Sequence, residues 1–477
     1  MPPPNPQSTI KQPNTLTPSG TAMLYIDDQF FDHDYFSSIR QLLATHSVFS
    51  SDEFPRIAVC IEDQATWLAV CLFCKEQQRS IMPIHPSTPL DGAKRLAKNA
   101  GCYYLFFGNL DNIILVQDPI KTSPSKNSTP GLIQMSSGTT GDPKCIERSW
   151  ESIEIEITNY IDTFQLPNAM TPLIACPITH SYGLISGVLV ALARGATPHI
   201  ITNINPKFLI RTLTMCEKPL LYSSPTMLLT IATLWPEGEA MYAAMTSGTA
   251  MSKESFKRIS PKVTHLFQQY GCSEAGCISI NQNMQNTIDI GTPLPHFDVT
   301  SGTSSEEPAE IVLFNKTPDP SSEESRFAIH TQDLGYFHNN TEGKTTLSYI
   351  SRLDDTIIVA GLNVYPQEVE DIILNHPSVT DAVIFQAKDP IAGHRVGLQF
   401  VSNTVMSNNT KSDLTFSEND LRQWCLKQLA PHQVPNILLP VKNIKRMANG
   451  KISRKKIAQE YQHKIDIQKI EKDALAL

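Results

Sequence analysis

The chain has 477 residues, of which 41% are hydrophobic and 18% charged, enough apolar material for about two to four domains of roughly 100–200 residues each. Its net charge of -8 argues against a general nucleic-acid binder, which is normally basic. No apolar run reaches the ~18 residues of a membrane-spanning helix, and no N-terminal stretch has the order of a cleaved signal.

Residues 1–20 (MPPPNPQSTIKQPNTLTPSG) are rich in Pro, Ser, Thr and Asn and read as a disordered leader. Beyond them, short β-rich runs alternate with segments of helical length. RIAVCIE at Arg56–Glu62 predicts a buried strand, and the stretch through Lys75 a helix. Strand signals return at Tyr103–Phe107, Thr171–Pro177, Thr197–Thr202 and Leu220–Ser224, with helical periodicity over Tyr182–Ala193 and Pro206–Cys216. This alternation predicts layered α/β architecture with mainly parallel sheets.

After about residue 285 the pattern shifts to short β segments with turn residues, including AEIVLFN at Ala309–Asn315. The charged SRLDD sequence around Arg352–Asp355 reads as a junction. Beyond it, a helix at Gln367–Asn375, strands at Asp381–Gln386 and Gly397–Val401 and a helix near Glu418–Leu429 suffice for a small α+β domain with its own core. The expected division is a leader over 1–20, a large domain over 21–353 and a small mobile domain over 354–477.

The ten cysteines are scattered. Cys71 and Cys74 make one C-x-x-C, but no second pair at zinc-site spacing accompanies it. They read as structural thiols of a reducing, cytoplasmic setting.

MSSGTTGDPK at Met135–Lys144 follows a strand-like GLIQM. Its glycines let the backbone curl, so N–H groups and the hydroxyls of Ser136, Ser137, Thr139 and Thr140 can converge on phosphate oxygens, with Lys144 adding positive charge. The spacing is not that of a Walker loop.

This segment resembles the signature loop of the adenylate-forming superfamily: acyl- and aryl-CoA ligases, peptide-synthetase adenylation domains and luciferases. Further matches follow in the family's order over nearly the whole chain after the leader. The resemblance implies that Ser136, Ser137, Gly138, Thr139, Thr140, Gly141 and Lys144 hold ATP phosphates, with Cys145 standing where a glycine is usual. Tyr270-Gly271-Cys272-Ser273-Glu274 resembles Y-G-x-T-E, which implies Ser273 on the α-phosphate and Glu274 on Mg²⁺, a hard cation suited to a carboxylate. TSGTAMS at Thr246–Ser252 resembles the segment beside adenine, making Gly248 and Thr249 candidates. Thr331–Tyr336 (TQDLGY) resembles T-G-D-x-G-Y, which implies that Asp333 binds both ribose hydroxyls, as a carboxylate can. Gln332 replaces the usual glycine, and Arg352 matches a second ribose contact.

By the same resemblance Asp354 is the hinge of the small domain and Lys451, in RMANGKISRKK, bridges the substrate carboxylate and the α-phosphate. Gly361, in AGLNVYPQEVE, lines the tunnel for a pantetheine arm. CPITHSYGLISGVLVALARGA at Cys176–Ala196 is similar to the segment that begins the acyl pocket. His180 falls beside the reacting carboxylate, and Tyr182, Ser224, Gly248, Gly271 and Cys272 are lining positions. No Asp or Glu occurs from Ile178 to Val188, so an α-ammonium group would find no partner there.

The expected function is ATP- and Mg²⁺-dependent activation of a carboxylic acid to an acyl-adenylate, catalysed by Lys451, His180, Thr140 and Glu274, then thioester formation with CoA. The alternative is a stand-alone adenylation enzyme that loads a phosphopantetheinyl carrier protein. Less favoured are a non-catalytic nucleotide-binding relative and a luciferase-like oxygenase.

Overall fold

A computed structural model describes residues 24–49, 56–117, 129–136, 144–316, 328–340, 343–359, 362–389, 393–403, 417–447 and 452–475. Among them two β-sheets dominate the chain up to Arg352, and a third, smaller sheet forms a separate unit after it. The expected α/β class with a smaller α+β unit is what the chain adopts.

The first sheet has six strands. Arg56–Ile61 lies between Ser80–Pro83 and Tyr104–Gly108, and both pairings are parallel. Helix Gln64–Glu76 makes the first crossover, capped by Asp63, whose carboxylate accepts the Ala65 N–H. Cys71 and Cys74 are buried in this helix, and burial pushes the Cys71 thiol up to about 12 and Cys74 well above its ordinary value. Thiols so placed are inert packing groups. The sheet ends with Gly131–Ser136 and Lys144–Ser149, an antiparallel pair that brackets the phosphate-loop sequence.

The second sheet has thirteen strands. Val263–Cys272, Met241–Thr246, Pro219–Ser223, Thr171–Ile174, His199–Ile200 and Leu24–Ile26 lie side by side in parallel. Both faces are covered, so these strands are mostly buried on both sides rather than alternating. Helices Pro206–Met215, Pro225–Leu234 and Lys253–Ile259 pack on one face around Leu221, Ala244 and Leu266. Helix Trp150–Thr163 packs on the other around Tyr222, Met245 and Phe267. Beyond Val263–Cys272 the sheet becomes an antiparallel meander, ending in Ile329–Asn339 and Thr345–Arg352 and the strands that follow them in the sheet.

Tyr182–Leu189 forms a π-helix, not the α-helix that periodicity suggests; an α-helix resumes only over Val190–Ala193. Two glycines let it press on its neighbours. A Cβ on Gly183 would lie 2.4 Å from the Pro177 carbonyl oxygen, and one on Gly187 would lie 2.8 Å from Ile174 Cγ1. Wide π turns are concentrated at functional sites.

In the small unit, Val379–Asp389 and Gly393–Ser402 pair antiparallel, and Ile437–Pro440 adds in parallel. Strand alternation gives it two faces. Ala382 and Ile384 join the core under helices Pro366–Leu374 and Glu418–Leu426, whereas Val383 and Phe385 meet Ile457 of helix Arg454–Leu475. Among the described residues no helix is long and apolar enough to cross a membrane.

Candidate active site

The strands that bracket the phosphate loop pair as far as Ser136 with Lys144. Ser137, Gly138, Thr139, Thr140 and Gly141 lie outside the described residues, as do Gly361 and Lys451.

The C-terminal ends of the parallel strands carry most of the other candidates. Met241–Thr246 runs into Gly248, whose φ of +90° is open to glycine at no steric cost; Thr249 beside it is half-buried. Ser224 follows Pro219–Ser223 and caps the next helix, its Oγ accepting the Met227 N–H at 3.4 Å. The Tyr182 hydroxyl donates to the Met245 carbonyl at 2.7 Å, which ties the pocket segment to the same strand ends. Ser181 Oγ bonds Gln134 Oε1, on the strand that enters the phosphate loop. His180 is exposed at the start of this segment, its carbonyl accepting the Leu184 N–H.

Gly271 and Cys272 close strand Val263–Cys272, and Ser273–Ala275 turns the chain into strand Gly276–Asn281. A Cβ on Gly271 would lie 2.0 Å from the Gly276 carbonyl oxygen, so the hairpin closes only with glycine there. Ser273 is half-buried and Glu274 exposed in this turn.

Tyr270 reaches from this strand to the meander, where its hydroxyl donates to Asp333 Oδ2 at 2.6 Å. Burial pushes the Tyr270 hydroxyl well above its ordinary pKa, with the Asp333 charge adding to it. Asp333 and Arg352 face each other across paired strands, and Arg352 Nη1 lies 3.7 Å from Asp333 Oδ1. Arg352 Nε donates to Asp354 Oδ1 at 2.9 Å. Burial lowers the Arg352 pKa, but the Asp354 hydrogen bond and the Asp333 charge outweigh it, and the net shift is upward. Gln332 has a φ of +62°, which explains why glycine is the usual residue there. Glu310 Oε1 holds the residue by accepting both its backbone N–H and its side-chain amide at 3.0 Å.

Several buried polar groups also lie here, of which Thr246 falls within a motif, TSGTAMS. Gln268, Thr246 and Ser223 align in register on three adjacent strands, and Gln268 Oε1, Thr246 Oγ1 and Ser223 Oγ have no hydrogen-bond partner among the described residues. On the opposite face Gln269 Nε2 donates to Ser186 Oγ at 2.8 Å, inside the π-helix, leaving Oε1 without a partner. Buried unpaired acceptors are costly, so these oxygens suit ligand donors. For Gln268 and Gln269 the clue in the sequence is the adjacent amide pair in VTHLFQQYGC.

The small unit meets the site's edge. Lys253 N–H donates to Asp371 Oδ1 at 3.1 Å, and Gln367 Nε2 to the Met251 carbonyl at 3.4 Å. Within the unit, Arg454 binds both oxygens of Glu370 at 2.7 and 3.0 Å and approaches Asp355 at 3.3 Å, joining the last helix to the junction. Among the described residues no group of three or more His, Cys, Asp or Glu side chains is placed to hold a metal ion.

A profile for the AMP-binding enzyme family matches residues 109–300, and one for the AMP-binding enzyme C-terminal domain matches residues 368–451. A 3,4-dihydroxybenzoate–[aryl-carrier protein] ligase from Bacillus anthracis is 33% identical over 91% of this chain and 98% of its own. A putative long chain fatty acid-CoA ligase, VraA, from Staphylococcus aureus (strain COL) is 25% identical over 70% of this chain and 72% of its own. Among solved structures, ATP-bound MatB from Rhodopseudomonas palustris matches with a TM-score of 0.75 at 16% identity, covering 93% of this chain and 97% of that one. The o-succinylbenzoate CoA synthetase (MenE) of Bacillus subtilis, in complex with the acyl-adenylate intermediate OSB-AMP, matches with a TM-score of 0.74 at 19% identity over 91% and 95%. Similarity over almost the full length of the aryl-carrier protein ligase, together with both profiles, shows that the chain belongs to the AMP-binding, adenylate-forming enzyme family and is an acid–thiol ligase.

Proposed function

We propose that the protein activates an aryl carboxylic acid with ATP and transfers the acyl group to the phosphopantetheine thiol of a separate carrier protein. The observation that carries the first half is the Tyr270–Asp333–Arg352 arrangement beside the Glu274 turn. It offers a fixed carboxylate to a vicinal diol and an exposed carboxylate to a phosphate-bound cation, which suits ATP and Mg²⁺.

In this reading Asp333 orients the ribose and Glu274 holds Mg²⁺. The ion, when bound, neutralises phosphate charge. Lys451 bridges the acid's carboxylate and the α-phosphate. A carboxylate oxygen attacks the α-phosphorus, pyrophosphate leaves, and the acid is held as acyl-AMP. The thiolate sulfur, its proton given to solvent, then attacks the acyl carbon, and AMP leaves with the bonding pair. The small domain, 354–477, turns about Asp354 between the steps, and Gly361 borders the path of the arm.

The pocket segment supports an acid without an α-ammonium group. It carries no carboxylate from Ile178 to Val188, and Ser181 and Tyr182 already bond Gln134 and the Met245 carbonyl. The neutral Gln269 and Ser186 suit ring hydroxyls instead.

The sequence alone favours CoA as acceptor on the wording NVYPQEVE. The more similar, full-length relative is a carrier-protein ligase, while the CoA-ligase relative is more distant and matches less of each chain. That contrast supports the carrier. The test is pyrophosphate release over benzoic, hydroxybenzoic, fatty and amino acids, followed by mass analysis of thioester with CoA or with a phosphopantetheinylated aryl-carrier protein. Hydroxybenzoyl-carrier thioester is the expected product. Rapid acyl-CoA formation with no carrier loading would overturn the acceptor, and preferred activation of amino acids would overturn the acid.

A further inference from the structure

Arg148 and Glu156 form an ion pair almost wholly out of water. Their side chains are 5% and 1% exposed, and Arg148 Nη2 lies 2.7 Å from Glu156 Oε2. The approach lies off the direction of a hydrogen bond, so among the described residues Oε2 has a charge partner but no hydrogen-bond donor. Glu156 Oε1 accepts the Cys277 N–H at 2.8 Å.

The pair joins three elements. Arg148 lies on Lys144–Ser149, the strand that leaves the phosphate loop, and Glu156 lies on helix Trp150–Thr163. Cys277 is the second residue of the strand that follows the Glu274 turn. Gly276, at a φ of +77°, presses directly on the pair: a Cβ there would lie 2.2 Å from Arg148 Nη1 and 2.3 Å from Glu156 Oε2. With Gly271 closed onto the Gly276 carbonyl, both strands of the hairpin are registered against one buried charge pair.

Such a pair is a poor way to gain stability, because desolvation of both charges offsets their attraction, and apolar replacements are often neutral or stabilising. Its value here is geometric. One end moves with the phosphate-loop strand, and the other fixes a backbone N–H three residues from Glu274.

We propose that Arg148 and Glu156 are positioning residues for the adenylation step, holding the Glu274 turn in register with the strand that leaves the phosphate loop. This rests on the function proposed above. Misplacement of a reacting array by about 1 Å can cost ~10²-fold in rate, so a buried coupling between the two phosphate-facing segments has a large effect to exert.

The test uses the full chain with Glu156→Gln and the apolar double variant Arg148→Met/Glu156→Leu. Three quantities are read: backbone hydrogen exchange over residues 273–277, adenylation rate against Mg²⁺ concentration, and acyl transfer from synthetic acyl-adenylate to the carrier thiol. The double variant is expected to keep its melting temperature and its transfer rate, while the turn exchanges faster. Its adenylation kcat is expected to fall tenfold or more, toward ~10²-fold, with a raised Mg²⁺ requirement. Glu156→Gln, which keeps an acceptor for Cys277, is expected to lie between. Unchanged exchange and unchanged adenylation in a folded double variant would overturn the proposal, as would equal loss of adenylation and transfer. If the unsubstituted protein activates no acid, the proposed function fails, and unchanged exchange in the variants would still reject the positioning role on its own.

Discussion

Tyr270 donates its hydroxyl to Asp333 at 2.6 Å, and the aspartate's other oxygen faces Arg352 Nη1 at 3.7 Å. Three separate motifs, spread over more than eighty residues, thus meet at one carboxylate. The tyrosine fixes the carboxylate's plane, and the arginine balances its charge in a setting where Asp333 is largely buried. An aspartate held this way presents a rigid acceptor instead of a mobile surface charge.

Asp333→Ala is therefore expected to raise the KM for ATP without changing the preference among acids. Hydrogen bonds to a charged group contribute roughly 1.5–3 kcal/mol each, so tenfold or more is the expected change. Tyr270→Phe leaves the carboxylate in place but unoriented, and a smaller rise is expected. Steady-state pyrophosphate release at varied ATP measures both, and an unchanged KM in Asp333→Ala would remove the ribose role.

Burial lowers the His199 pKa to about 4, and lowers that of His296 to about 4 with help from Arg148 and Lys316. Between pH ~6.5 and ~4 the unfolded chain binds protons that the folded chain refuses, so this contribution is complete above that window and is lost as pH falls through it. His199→Phe keeps a ring beside Tyr25, whose centroid lies 4.4 Å away, and removes one titration. The melting temperature of the variant relative to the unsubstituted protein is expected to rise steadily from pH 6.5 to 4. Parallel melting curves across that range would contradict it.

Much of this architecture is legible in the residues because the chemistry demands particular types at particular spacings. YGCSE and TQDLGY suggest roles only because they occur in the family's order along the chain, whereas AEIVLFN is a strand over the same residues that its pattern indicates, Ala309–Asn315. Gln332 shows where a motif departure acquires a physical meaning only in three dimensions: its φ is +62°, and Glu310 supplies the support. Arg148 and Glu156 are invisible by pattern, because an Arg and a Glu eight residues apart read as ordinary surface charges until the fold buries both. The π-helix at Tyr182–Leu189 escapes for a related reason. Its close approach to Pro177 and Ile174, which leaves no room for a Cβ on Gly183 or Gly187, exists only in the folded chain.

Lys451→Ala is expected to abolish most acyl-adenylate formation, by ~10²–10³-fold, since the proposed function places its charge where charge builds in the transition state. Transfer from synthetic acyl-adenylate to the thiol is expected to persist, because that step has no carboxylate–phosphate bridge to stabilise. Measuring the two half-reactions separately decides the matter, and near-normal pyrophosphate release would dismiss the lysine from catalysis.

Asp354→Pro is expected to divide the same half-reactions in the opposite sense. Asp354 lies between Leu353, whose N–H donates to the Gln332 carbonyl, and Asp355, whose N–H donates to the Arg352 carbonyl. Among the described backbone hydrogen bonds of this turn none uses the Asp354 N–H, so proline removes no donor in use there. What it does remove is freedom in φ, fixed near about -65°, and some freedom at Leu353 before it. Adenylation is expected to continue while thioester formation falls by an order of magnitude or more, as hinge changes affect gated steps. Asp354→Ala separates the two roles of this residue: it loses the 2.9 Å contact with Arg352 but keeps a free φ, so transfer is expected to survive while ATP binding weakens modestly. If proline and alanine impair transfer equally in folded protein, the side chain and not the backbone is what matters, and the pivot lies elsewhere.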